Sequence, residues 1–118
     1  MQRKPTPQSR GINAAERAHL RWIKERGICC ACGNAGGVIA HHFAGSSAKI
    51  MVGLNRVMIG HWAINGVCAP CDNIVTREGR PAFRKKFGPE NKLWLKQALD
   101  YPVEIPIDVI GAIARWGK

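Results

Sequence analysis

Two Cys-x-x-Cys pairs, Cys29/Cys32 and Cys68/Cys71, stand 35 residues apart in a chain of 118. Four thiolates in two such pairs are what a tetrahedral zinc ion takes as a closed structural site. A plain zinc ribbon leaves only about 15 to 20 residues between its pairs. The longer interval has room for two strands and a loop, so the metal would clasp shut the element that carries the doublet His41-His42. A fifth cysteine, Cys30, adjoins the first pair. It can replace Cys29 as ligand, and the spacing leaves that choice open.

A chain of this length makes one small domain that buries a modest fraction of its surface, and a structural metal helps such a domain to fold. The apolar share of 46 % marks a globular protein and not a disordered one. The charge is the unusual quantity, with 18 Lys and Arg against 8 Asp and Glu and a formal net charge of +10. So basic a balance suits a partner made of phosphates, and DNA is the expected one. No segment approaches the roughly 20 apolar residues that span a bilayer, and the start, MQRKPTPQSR, lacks the apolar run of a signal peptide. The expected setting is the cytoplasm, with no membrane partner, where cysteines serve metals and not disulfides.

Residues 1–12 are basic and without periodicity, an expected flexible arm whose Arg3, Lys4 and Arg10 would meet DNA phosphates. Residues 13–100 read as the zinc-bound domain, and 101–118 as an apolar C-terminal helix. A first helix is predicted over 14–26, with Asn13 and Glu16 as a capping box and Gly27 as its stop. Ala15, Ala18, Trp22 and Ile23 are its expected inner face. Val38 to Phe43 has strand composition, 44–56 reads as a connecting loop, and Val57–Ile59 with Trp62–Val67 suggests a second strand. A short helix follows from the second cysteine pair to about Arg77, Pro70 being tolerated in a first turn.

The predicted helix opened by Arg80-Pro81 sets Phe83 and Phe87 on one face, with basic Lys85 and Lys86 beside them. Another runs from Pro89 to about Asp100 with Leu93, Leu95, Ala98 and Leu99 for packing. The last, through Ile107 to Trp116, is apolar enough to dock on its own core or on a second copy, as a homodimer. Trp22, Trp62, Trp94 and Trp116 are read mostly as core. The fold class is α+β, with strand, loop, strand and helix around a metal.

A histidine doublet at a strand end, facing a short helix with an acidic residue, has the chemistry of metal-assisted phosphodiester cleavage. Neighbouring strand side chains point to opposite faces, so one imidazole is expected to ligate and the other to take a proton from water. Asp72, directly after the last zinc cysteine, offers a hard oxygen that suits Mg or Mn.

The run Ala15-Glu-Arg-Ala-His19-Leu, Cys-x-x-Cys-Gly, Ala40-His41-His42, the pair Cys68 and Cys71, and Gly79-Arg-Pro-Ala-Phe83-Arg-Lys-Lys-Phe87-Gly88 resembles the phage recombination-enhancement nucleases. The resemblance spans about residues 14–99. It implies a ββα-metal (HNH-type) fold, a phage or prophage origin in a bacterial host, RecA-dependent endonuclease action where RecA filaments have paired strands, and a basic arm that grips DNA; single-stranded or branched DNA would be chosen by shape and by that arm. Carried over by position, His42 would be the general base, and His41 a ligand of the catalytic metal with Asp72. Cys29, Cys32, Cys68 and Cys71 would hold zinc. Asp72 stands where the family commonly has histidine, and Arg77 stands close to another. A guanidinium cannot ligate a metal, and Arg77 suits a scissile phosphate instead. Asn55, Asn65 and His61 are candidates for the middle residue of the motif, with Asn73 in support. The alternative is a fold that keeps zinc and DNA affinity, as a recombination accessory, without catalysis.

Overall fold

The computed structural model describes residues 12–117, so Arg3, Lys4 and Arg10 of the expected arm lie outside the described residues. Helix α1 (Ala14–Arg26) has the ends expected of it. Asn13 Oδ1 accepts the Glu16 N–H at 2.8 Å and Glu16 Oε1 accepts the Asn13 N–H at 2.9 Å. Such a reciprocal cap stabilises a helix by about 1 kcal/mol. Gly27 closes it in the left-handed region, at φ 63°. The buried face differs from the expected one. Ala15 and Ala18 are exposed, while Glu16, His19 and Ile23 point inward and Trp22 is half-buried. These three keep helical spacing. Polar side chains serve there because the cap engages Glu16 and aromatic rings enclose His19.

The His19 imidazole is fully buried, with ring centroids 4.8 Å from Tyr101 and 5.4 Å from Trp62, and with Trp22 and Trp94 completing the box. Burial pushes its pKa down from 6.5 to about 4. The unfolded chain therefore takes up a proton below pH 6.5 that the folded chain refuses until about pH 4. Stability is unaffected by this group above pH 6.5, and between 6.5 and 4 it falls by a total of about 3 kcal/mol. Urea unfolding from pH 7 to pH 4.5 is expected to show a shallower loss for His19→Phe than for the parent. Equal slopes would refute the assignment.

Strand β1 (Ile39–His42) pairs antiparallel with β4 (Ile64–Val67), His41 opposite Asn65 and His42 opposite Ile64. The segment expected as a loop instead forms a hairpin, β2 (Lys49–Val52) with β3 (Asn55–Met58). Its alternation explains the correction: Ile50, Val52 and Val57 pack on the core while Met51 and Arg56 face solvent. The second expected strand is accordingly two. The chain breaks after Met58, where the Ile59 and Gly60 N–H groups both donate to Ala48 O, and β3 and β4 serve different partners. A Cβ on Gly60 would lie 1.9 Å from Ser46 O, so this close backbone approach admits only glycine.

The outer edge of β4 is closed by a side chain. Gln97 Nε2 donates to Ile64 O at 3.1 Å and Gln97 Oε1 accepts the Gly66 N–H at 3.0 Å, which supplies the bonds a further strand would make. Helix α2 (Ala69–Asn73) leaves β4 through Cys68 and continues as a π-helical turn, Ile74–Glu78. Helix α3 (Arg80–Phe87) sets Phe83 and Phe87 with centroids 5.0 Å apart, as the four-residue spacing predicts.

Helix α4 (Glu90–Ala98) buries Leu93 and Trp94, but Leu99 lies past its end and is 83 % exposed. Helix α5 (Ile107–Arg115) turns Val109, Ala112 and Ile113 into the core that holds Phe43, Trp62 and Trp94, so its apolar face is covered by its own chain. Asn91 Nδ2 lies 3.1 to 3.2 Å from the carbonyls of Ile113, Ala114 and Trp116, its two N–H groups shared among them, and holds the end of α5. Trp62 and Trp94 are core, as expected, whereas Trp22 and Trp116 are half-buried. The described residues form an α+β fold of short strand pairs and helices. None of its helices is long and apolar enough to cross a membrane.

Candidate functional site

The sulfurs of Cys29, Cys32, Cys68 and Cys71 all lie within 4.8 Å of one another, Cys32 Sγ and Cys68 Sγ at 3.6 Å. A zinc ion held tetrahedrally at about 2.3 Å from four sulfurs would set them roughly 3.8 Å apart. The cluster is compatible with a structural zinc ion. Local chain geometry prepares it: the Gly33 N–H donates to Cys29 O at 2.9 Å and the Cys32 N–H reaches Cys29 Sγ at 3.4 Å. Gly33, at φ 80°, makes the turn. The second pair sits at the start of α2, with Cys68 as its N-cap.

Burial opposes ionisation of Cys29, but backbone groups of Cys32, Cys68 and Ala31 outweigh it and bring its pKa down to about 7. Burial raises Cys68 and Cys71, and the neighbouring sulfurs raise Cys71 further. Four thiols packed this closely cannot all ionise without a cation among them. Cys30 is outside the cluster, and burial followed by the adjacent Cys29 pushes its pKa up to about 12. The choice left open between Cys29 and Cys30 falls to Cys29.

The clasp joins the loop after α1 to the start of α2 and so brings α2 against β1. His41 Nδ1 stands 4.0 Å from Asp72 Oδ1, and both side chains are about a quarter exposed. This is too long for a hydrogen bond. Two ligands at about 2.1 Å from one octahedral Mg ion lie roughly 3.0 Å apart when adjacent and roughly 4.2 Å apart when opposite, and the observed separation is nearer the second. His41 Nε2 is buried without a hydrogen-bond partner. The pair offers two donors, one imidazole nitrogen and one carboxylate oxygen, 4.0 Å apart. Among the described residues, however, the four cysteines are the one group of three or more His, Cys, Asp or Glu set for a metal.

His42 stands on the opposite side of β1, its ring edge-on to His61 with centroids 5.7 Å apart. Burial lowers its pKa, and the neighbouring His61 and His41 lower it further. Among the three candidates for the middle residue, Asn65 is buried opposite His41 and donates from Nδ2 to Glu90 O at 3.1 Å. Its Oδ1 is buried and unpartnered. His61 sits against His42, whereas Asn55 is exposed near the hairpin tip, away from the doublet in the ladder. Asn73 is exposed on α2, Arg77 in the π-helical turn, and Lys85 and Lys86 on α3.

Sequence reasoning missed Arg80. Its Nη2 donates to Phe43 O at 2.9 Å, directly after the doublet, and its Nε lies 3.1 Å from buried Glu90. Arg84 Nε donates to the other Glu90 oxygen at 2.8 Å, and both guanidinium groups lie over the Trp116 ring. The end of β1 is thereby tied to α3, α4 and the C-terminal segment. No local pattern announces this, since Phe43 and Trp116 lie far in sequence from the Arg80, Arg84 and Glu90 group that joins them. Comparison with protein-family models, curated proteins and solved structures gives no match for this chain.

Proposed function

We propose that this protein is a metal-dependent DNA endonuclease of the HNH type, in which β1, β4 and α2 form the ββα-metal unit. The observation that carries the reading is the doublet at the end of β1, with one imidazole beside Asp72 of α2 and the other on the opposite face. His41 and Asp72 would hold Mg or Mn, which when bound polarises the scissile phosphate and stabilises the leaving oxygen. The pair offers two protein ligands, the arrangement expected of an ion that keeps waters and takes phosphate oxygens. His42 takes the proton from the attacking water, and His61 limits the directions in which its ring can turn. Asn65, opposite His41, supports the unit from β4. The net charge of +10 and the exposed Arg77, Lys85 and Lys86 suit a phosphate partner.

A nicking assay on supercoiled and single-stranded DNA, with and without RecA, in Mg or Mn, tests this. His42→Ala is expected to cut about 10²- to 10⁴-fold more slowly, the range a general base contributes, with DNA affinity retained. A variant that cuts as fast as the parent would remove His42 from the chemistry. A second reading has its own observation, that His41 and Asp72 are joined by no third ligand among the described residues. A parent that binds DNA with steep salt dependence and cuts under no condition would favour this zinc-clasped binding protein over the nuclease.

A further inference from the structure

We propose that the β2–β3 hairpin is a DNA wedge, with Leu54 inserted between base pairs and Lys49 and Arg56 holding the flanking phosphates. The proposal rests on the DNA-binding part of the function above. Leu54 is 97 % exposed, the highest value among the exposed large apolar side chains, and Met51 nearby is 52 % exposed. An isolated exposed leucine is ordinary. This one is different in how it is presented.

Val52 pairs with Asn55, so Gly53 and Leu54 alone make the turn, and Gly53 at φ 64° supplies the positive φ that a tight hairpin turn requires. The inner face of the hairpin is anchored, Val57 within the core and Ile50 and Val52 packed against it. The two-residue tip follows directly on Val52, the last anchored position of β2, so it projects from the edge of the core on a fixed base. The outer face alternates basic and apolar groups: Lys49 and Met51 on β2, with Arg56 directly opposite Met51 on β3. Apolar side chains that unstack a base step, flanked by cations on phosphates, are how architectural proteins kink DNA.

Topology ties the wedge to the candidate site. The chain leaves β1 immediately after His42-Phe43, runs out through the hairpin, and returns through His61, whose ring stands against that of His42. DNA gripped by the tip would be engaged by the same segment that joins His42 to His61, and an unstacked step would favour flexible, branched or mismatched DNA by its lower cost of opening.

The test uses the full chain with its zinc and a set of duplexes carrying 2-aminopurine at successive positions, without added Mg or Mn. The fluorescence of that base rises when it unstacks. Binding of the parent is expected to raise it severalfold at a branch or mismatch, and Leu54→Ser to abolish the rise at saturating protein. Because Leu54 is fully exposed, folding of that variant is not at issue. Lys49→Ala and Arg56→Ala are each expected to keep the rise at saturation and reduce the slope of log affinity against log salt by about one. Bound DNA without any rise, or an undiminished rise with Leu54→Ser, would overturn the wedge. If nicking by the parent persists in either case, the nuclease reading stands and only the wedge falls. A parent that binds no DNA would sink both.

Discussion

Chelation of zinc is expected to unfold this protein at 25 °C. A structural zinc site contributes apparent binding free energy of about 10 to 16 kcal/mol at neutral pH, and the whole stability of a small domain is about 5 to 15 kcal/mol. The dependence here is spatial. Cys29, Cys68 and Cys71 share a buried cluster with Val67, Phe83 and Leu93, which packs between the loop after α1, β4 and the helices that follow. Without a bound ion four converging thiols would have nothing to hold them, and the hold of α2 on β1 would go with it. Red-shifted tryptophan fluorescence and loss of the cooperative thermal transition on adding a strong chelator are the expected readout, with recovery on adding back zinc. Cys71→Ser should behave like the chelated parent and Cys30→Ser like the untreated one. An unchanged melting midpoint for Cys71→Ser would mean that the cluster is four packed thiols and no metal site.

Removing both arginines around Glu90 is expected to cost about 3 to 5 kcal/mol, the range found when a buried ion pair loses one side. Glu90 is 1 % exposed, whereas Arg80 and Arg84 are partly solvated, so in Arg80→Ala/Arg84→Ala the carboxylate remains buried without a cation. Adding Glu90→Leu removes that stranded charge and fills the space with apolar volume. The triple variant is therefore expected to be more stable than the double one, by urea midpoint at constant slope. A triple variant no more stable than the double would show that the arginines act through Trp116 and Phe43 O and not through the charge of Glu90.

The same node shows why parts of the site were not legible in the sequence. Phe43, Arg80, Glu90 and Trp116 belong to four separate segments, and each alone reads as an ordinary surface or core residue. The hairpin is legible in principle: β-branched Ile50, Val52 and Val57 flank the turn residues Gly53-Leu54. The Gly and Ser residues just before it drew the whole stretch into a loop, because polar small residues outweigh a period of only four positions. The inner face of α1 departs from the apolar pattern for a related reason. Ala15 and Ala18 face outward, while His19 is buried because rings from outside the helix enclose it and Glu16 because the capping box engages it.

What the sequence determined by itself is whatever short-range chemistry decides. Asn13, Glu16 and Gly27 set the ends of α1 through bonds spanning three or four residues, and Val38 to Phe43 set β1 by β-branched and aromatic composition. The two Cys-x-x-Cys pairs announced a shared cluster because their turn geometry is local even though the pairs are distant. Tertiary structure alone decided which side chains meet across the chain: Cys29 and not Cys30 with the second pair, His42 with His61, and Gln97 along the edge of β4. Those meetings follow from how the helices pack on two short strand pairs, a cooperative outcome of buried apolar area that no single segment encodes.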